Sequence, residues 1–122
     1  MTHRGVLIGC GFFARNHMEA WTRQKGVQIV GVCDTDMAKA QAFATAYGAE
    51  AGTDAAEMLA RLQPDFVDIA TTVGSHRALV ELAAQHARMV ICQKPFAETL
   101  EDAAAMVAAC ETRGVALTVD RK

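Results

Sequence analysis

The sequence predicts an α/β domain built on a doubly wound parallel sheet, and three observations carry that prediction. Short β-prone runs alternate with helix-like segments along the whole chain, joined by short loops. The first run, Gly5-Val6-Leu7-Ile8, leads into Gly9-Cys10-Gly11-Phe12-Phe13-Ala14, a G-x-G-x-x-A pattern that opens a helical segment. The second run ends in Asp34, 25 positions after Gly9, the length of one helix plus one strand. Right-handed crossovers and a glycine turn after strand one then favour the strand order 3-2-1-4-5-6, with helices on both faces.

The glycine turn assigns a separate job to each small residue. Gly9 permits the tight turn off the strand, Gly11 lets the backbone approach a pyrophosphate, and Ala14 keeps the helix tight against the sheet. The free N–H groups and positive end of the following helix, expected over Arg15 to Lys25, face the same anion. Asp34 suits the ribose hydroxyls of an adenosine, and its charge repels the extra phosphate of NADP, so NAD is the expected cofactor. A carboxylate there also starts a turn or caps a helix, which is the role we assign to Asp36.

The remaining elements follow in order. Val27–Cys33 is the second strand, and Met37–Tyr47 repeats apolar residues at helical spacing before Gly48 ends it as a C-terminal cap. A short strand is expected around Ala49–Ala51. Thr53-Asp54 opens a helix, with Glu57 three residues after Asp54 as in a capping box, and Gln63-Pro64 stops it. Phe66–Ala70 is the fourth strand, and Ser75 is the expected side-chain cap of a helix from His76 to His86. Met89–Cys92 is the fifth strand. Thr99 caps an Ala-rich helix to Arg113, where Asp102 complements the dipole. Gly114 is the expected left-handed cap, and Val115–Val119 is the sixth strand.

With 122 residues the chain suffices for one domain with a single sizeable core. A hydrophobic share of 52% against 21% charged residues suits a globular fold and argues against disorder. The formal net charge of −2 gives no reason to expect nucleic acid or an anionic membrane as a partner. No apolar run approaches the roughly 20 residues of a membrane span, and no leader pattern opens the chain, so a cytoplasmic location is expected. The cysteines, Cys10, Cys33, Cys92 and Cys110, form no C-x-x-C pair and read as reduced thiols. Cys10, Cys33 and Cys92 would share one edge of the sheet, but no His or carboxylate stands at ligand spacing beside them, so no metal is expected.

The predicted order makes strands one, four and five neighbours, about 4.8 Å apart. The loops of Gly9–Ala14, Thr71–His76 and Gln93–Pro95 should therefore converge on one carboxyl edge, with Asp34 on the other side of strand one. There Lys94 is either a plain surface lysine ahead of a turn proline or a functional cation at the edge where ligands bind. His76 either touches the cofactor or caps its helix, and Thr71 and Thr72 offer backbone and hydroxyl contacts. His17 is expected to pack within the first helix. A methyltransferase using S-adenosylmethionine also pairs a glycine-rich first loop with an acidic end of strand two, but the G-x-G-x-x-A spacing and Lys94-Pro95 count against it.

Taken together, Gly9–Ala14 with His17, Val32-Cys33-Asp34, Asp65–Thr72 running to Ser75-His76, and Cys92-Gln93-Lys94-Pro95 resemble the glucose–fructose oxidoreductase / inositol dehydrogenase / MocA oxidoreductases. The resemblance covers essentially the whole chain. It implies a Rossmann-type NAD(P)-binding domain of a dehydrogenase acting on sugars, cyclitols or similar hydroxyl compounds. It further implies that Lys94 orients the nicotinamide and the reacting hydroxyl and helps move its proton, and that Gln93, Lys94 and Pro95 contact the cofactor. The family pattern there is Glu-Lys-Pro, so Gln93 is a departure that removes a negative charge beside Lys94. The resemblance also implies a C-terminal domain that completes the substrate pocket and forms a homo-oligomer interface, so the chain is expected to be the cofactor-binding part of a longer enzyme. A non-catalytic NAD-sensing module on the same fold is the alternative of a different class.

Overall fold

A computed structural model describes residues 2–11 and 14–120. Phe12 and Phe13, both expected in the cofactor loop, lie outside the described residues. The elements are β1 (His3–Ile8), α1 (Ala14–Thr22), β2 (Val27–Cys33), α2 (Met37–Tyr47), β3 (Glu50–Gly52), α3 (Ala55–Leu62), β4 (Phe66–Ile69), α4 (His76–Ala83), β5 (Met89–Gln93), α5 (Leu100–Thr112) and β6 (Ala116–Asp120). All strand pairs are parallel, and the sheet runs β3-β2-β1-β4-β5-β6, the predicted order.

Strand alternation divides the core between the two faces of the sheet, because successive side chains point to opposite sides. Val6, Ile8, Val67, Ile69, Val90 and Cys92 pack with Met58 and Leu59 of α3, Val80 and Ala83 of α4, and Met106 and Cys110 of α5. Leu7, Val32 and Phe66 pack on the other face with Ala14 and Met18 of α1 and Ala40, Phe43 and Ala44 of α2. Burial on both faces explains why these strands read as continuous apolar runs rather than alternating ones. Deleting a buried side chain such as Leu59, fully enclosed, would cost about 2–5 kcal/mol.

Most caps fall where the sequence placed them. Asp36 Oδ1 accepts from the Ala38 N–H (2.9 Å), Asp54 Oδ1 from the Glu57 N–H (3.1 Å), and Thr99 Oγ1 from the Asp102 N–H (3.0 Å). Gly48 and Gly114 take positive φ at the ends of α2 and α5.

Three expectations are corrected. α1 ends at Thr22 rather than Lys25, since Arg23 and Gln24 already bond as turns to Ala20 and Trp21. α4 ends at Ala83 rather than His86, where further turns intervene. Ser75 makes no side-chain cap. Its backbone N–H closes a 3-10 turn over Val73–Ser75 on Thr72 O (3.1 Å), and its hydroxyl donates to the same oxygen (2.8 Å).

Candidate functional site

β1 ends in the middle of the sheet, and the chain must turn there without striking β4. A Cβ on Gly9 would lie 2.6 Å from Ala70 O and 2.8 Å from its carbonyl carbon, and φ at Gly9 is +103°. Both facts exclude a side chain. Gly11 differs: among the described residues a Cβ there would meet nothing within 4 Å. Ala14 begins α1 and is buried beneath it, as expected of the residue that sets helix-to-sheet contact.

Asp34 follows β2 and is half-buried beside the glycine turn. Its Oδ2 accepts from the Cys10 N–H (2.8 Å) and its Oδ1 from the Asp36 N–H (2.8 Å). The carboxylate therefore fixes the turn of β1 to the end of β2. Each oxygen has two lone-pair directions, so one on each is still available to a hydroxyl.

At the carboxyl edge a cleft of about 1510 Å³ runs from Asp34 and Thr35, past Gly9 and Gly11, to Thr71 and Thr72 and on to Gln93, Lys94 and Pro95. That exceeds the roughly 300–1,000 Å³ of pockets for drug-sized ligands and suits a longer, two-headed ligand. An acidic hydroxyl acceptor, an open backbone cradle at Gly11 and a cation at Lys94 thus occur in that order along one groove. The order fits a dinucleotide, with carboxylate and cradle at one end and space for a second ring at the other. Lys94 itself is exposed.

His76 does not line the cleft and does not cap through its side chain. It is 1% exposed, with Nε2 3.0 Å from Thr71 O and Nδ1 3.0 Å from Phe96 O. Neither sequence-level reading of this residue describes that position. The cysteines are protonated thiols in a dry setting: burial first, and the Asp34 charge second, push Cys10 up to about 12 and Cys33 to about 11. Burial and Asp68 push Cys92 to about 12. A set of thiolate ligands at that edge is disfavoured accordingly, and no group of three ligating side chains occurs among the described residues.

Sequence reasoning missed a polar cluster beside this cleft. Asp68, in the middle of β4, is 1% exposed, and its Oδ2 lies 2.9 Å from His17 Nδ1 and accepts from Trp21 Nε1–H at 2.8 Å. Its Oδ1 has no hydrogen-bond partner among the described residues. His17 therefore reaches off α1 to the sheet instead of packing within the helix. The available signal was a lone carboxylate inside the otherwise apolar Phe66-Val67-Asp68-Ile69, because a buried charge requires partners.

Comparison with known proteins extends this picture. The chain is 59% identical over 117 residues to a D-apiose dehydrogenase of Paraburkholderia graminis, covering 95% of this chain and 31% of that protein. An oxidoreductase from Agrobacterium radiobacter, solved with NAD+, L-tartaric acid and magnesium, superposes with a TM-score of 0.91 at 50% identity, over 98% of this chain and 35% of that one. The WlbA dehydrogenase from Bordetella pertussis, solved with NADH and UDP-GlcNAcA, superposes with a TM-score of 0.94 at 35% identity, over 98% of this chain and 38% of that one. The chain thus spans about a third of the length of these relatives. A family model described as an oxidoreductase family with an NAD-binding Rossmann fold matches residues 3–121, and the methyltransferase alternative falls away with it. On the fold, the cleft and that match, the chain belongs to the glucose–fructose oxidoreductase / inositol dehydrogenase / MocA family, as its NAD-binding Rossmann domain.

Proposed function

We propose that the chain is the cofactor-binding part of an NAD-dependent dehydrogenase that oxidises a hydroxyl, or reduces a carbonyl, of a sugar, cyclitol or related compound. The observation that carries this reading is the single cleft shared by Asp34, the Gly9–Gly11 turn, Thr71, Thr72 and the Gln93-Lys94-Pro95 loop. Asp34 accepts from the adenosine ribose hydroxyls, the backbone at Gly11 admits the pyrophosphate, and Thr71, Thr72 and Pro95 border the nicotinamide half. Phe12, Phe13 and Ala14 are further candidates for contact with the cofactor, and Ala14 opens α1. When bound, the nicotinamide supplies the hydride acceptor. Lys94 then holds the developing oxyanion or takes part in relaying the hydroxyl proton, which must leave as hydride departs. Gln93 keeps hydrogen-bonding capacity there without adding charge.

The sugar-like substrate is supported by the dehydrogenases and sugar-nucleotide complex among the relatives. Their greater length supports a further domain that walls the substrate site and makes a homo-oligomer. A cytoplasmic location accords with reduced, buried thiols. Calorimetric titration with NAD+ and NADP+ tests the central statement: NAD+ should bind, and more tightly. Equal or tighter binding of NADP+ would refute the role given to Asp34, and no binding of either would refute the whole reading.

A further inference from the structure

β4 and β5 run side by side as far as the pair Ile69 and Cys92, and beyond it the sheet no longer ties them. The loops that follow carry the residues assigned to the nicotinamide half of the cleft: Thr71 and Thr72 on one, Lys94 and Pro95 on the other. Among the described residues no backbone hydrogen bond joins 71–75 to 94–99. The two loops are bridged instead by one buried ring, with His76 Nε2 3.0 Å from Thr71 O and Nδ1 3.0 Å from Phe96 O. We propose that His76 is a positioning residue that couples the Thr71–Thr72 loop to the Lys94 loop and so sets the geometry of the nicotinamide end of the cleft.

Whichever nitrogen carries a proton, the imidazole donates to at least one of these carbonyls, and a ring protonated on both nitrogens serves both. Side chains of other shape cannot place polar atoms on opposite ends of a flat ring of this width. The ring sits at the first residue of α4, which is anchored in the core by Val80 and Ala83, so the bridge rests on a rigid element. Phe96 is two residues from Lys94, so the carbonyl that meets His76 belongs to the same loop as the lysine. The adenosine end is held separately, by Asp34 on Cys10 and Asp36.

This separation supplies a test, which rests on the NAD reading above. ADP-ribose carries the adenosine and pyrophosphate of NAD+ without the nicotinamide, so it probes the Asp34 and Gly11 end alone. The chain with its native His76, His76→Phe and His76→Gln would each be titrated with both ligands. In His76→Phe the affinity for ADP-ribose should stay within about twofold, while the advantage of NAD+ over ADP-ribose shrinks roughly tenfold. His76→Gln, which keeps one donor, should fall between that variant and the native chain. A parallel loss for both ligands, or an unchanged NAD+ advantage, would overturn the proposal. Failure of the native chain to bind either ligand would instead overturn the cofactor reading itself. Should His76→Phe not fold, hydrogen exchange on the native chain decides the matter. Segments 71–76 and 94–97 should gain protection together when NAD+ binds, and protection of one without the other would overturn the coupling.

Discussion

The two glycines of the β1 turn should respond to substitution in opposite ways, and the structure gives the size of each response. In Gly9→Ala the new Cβ must sit 2.6 Å from a backbone oxygen while φ stays at +103°. The left-handed side of φ space costs an L-residue about 1–2 kcal/mol, and backbone cannot retreat as a flexible side chain would, so about 2–4 kcal/mol in all is expected. For a domain of this size that corresponds to a fall in Tm of roughly 8–20 °C. In Gly11→Val the new Cβ meets nothing within 4 Å among the described residues, and stability should change by less than about 1 kcal/mol. The same side chain fills the cradle where the pyrophosphate must approach, so NAD+ affinity should fall by about 100-fold or more. Thermal denaturation followed by calorimetric titration reads both quantities. A Gly9→Ala chain that melts with the native one, or a folded Gly11→Val chain that binds NAD+ normally, would refute the assignment of the turn.

Other outcomes follow from the same geometry. Asp34→Ala should narrow the difference between NAD+ and NADP+ in titration, and should lower Tm because the Cys10 and Asp36 N–H groups lose their acceptor. In a longer dehydrogenase of the kind proposed above, Lys94→Ala should cut kcat by roughly 10²–10⁴ with NAD+ affinity little changed, measured by steady-state kinetics and titration. The 122-residue chain alone should show no dehydrogenase turnover with polyols, because the reacting carbon needs a second wall to hold it against the nicotinamide. The Arg4 backbone N–H, reinforced by the Arg88 guanidinium, holds the Asp65 carboxyl below its ordinary value of 3.8. A lowered folded value stabilises fully above the unfolded one and is lost as pH falls through it. The Tm deficit of Asp65→Ala at neutral pH should therefore disappear in strong acid. At pH 8 the native thiols should react with a disulfide reagent roughly 100-fold or more slower than in denaturant, since Cys10, Cys33 and Cys92 lie near 12, 11 and 12.

The parts of the fold that were legible in the sequence are those set by local chemistry. Asp36, Asp54 and Thr99 cap because a short oxygen-bearing side chain before a helix meets an orphan N–H wherever it occurs. The sheet order followed from the position of the glycine turn and from the handedness of crossovers. Gly9, Gly11, Asp34, Thr71, Thr72, Gln93, Lys94 and Pro95 all border the cleft, because each stands at a strand end and strand ends share one edge. Tertiary pairings were not legible. His17 and Trp21 meet Asp68 across 51 and 47 positions, and His76 meets Phe96 across 20, distances at which no local spacing rule operates. Ser75 failed as a cap because its backbone is already helical (φ −97°, ψ −6°) at the end of the 3-10 turn, where a capping residue is extended.

The two hydrogen bonds of Asp34 make the choice of cofactor a structural commitment as well as a chemical one. A carboxylate that served the ribose alone could be exchanged for a neutral or basic residue whenever a phosphorylated cofactor became advantageous. Here the same oxygens clasp the backbone of Cys10 and Asp36, so that exchange would loosen the turn on which any dinucleotide, phosphorylated or not, has to rest. A switch toward NADP would therefore have to begin elsewhere, with a donor or acceptor that takes over the Cys10 amide before Asp34 is released. The order of steps along such a path is dictated by a clasp of two hydrogen bonds, each 2.8 Å long.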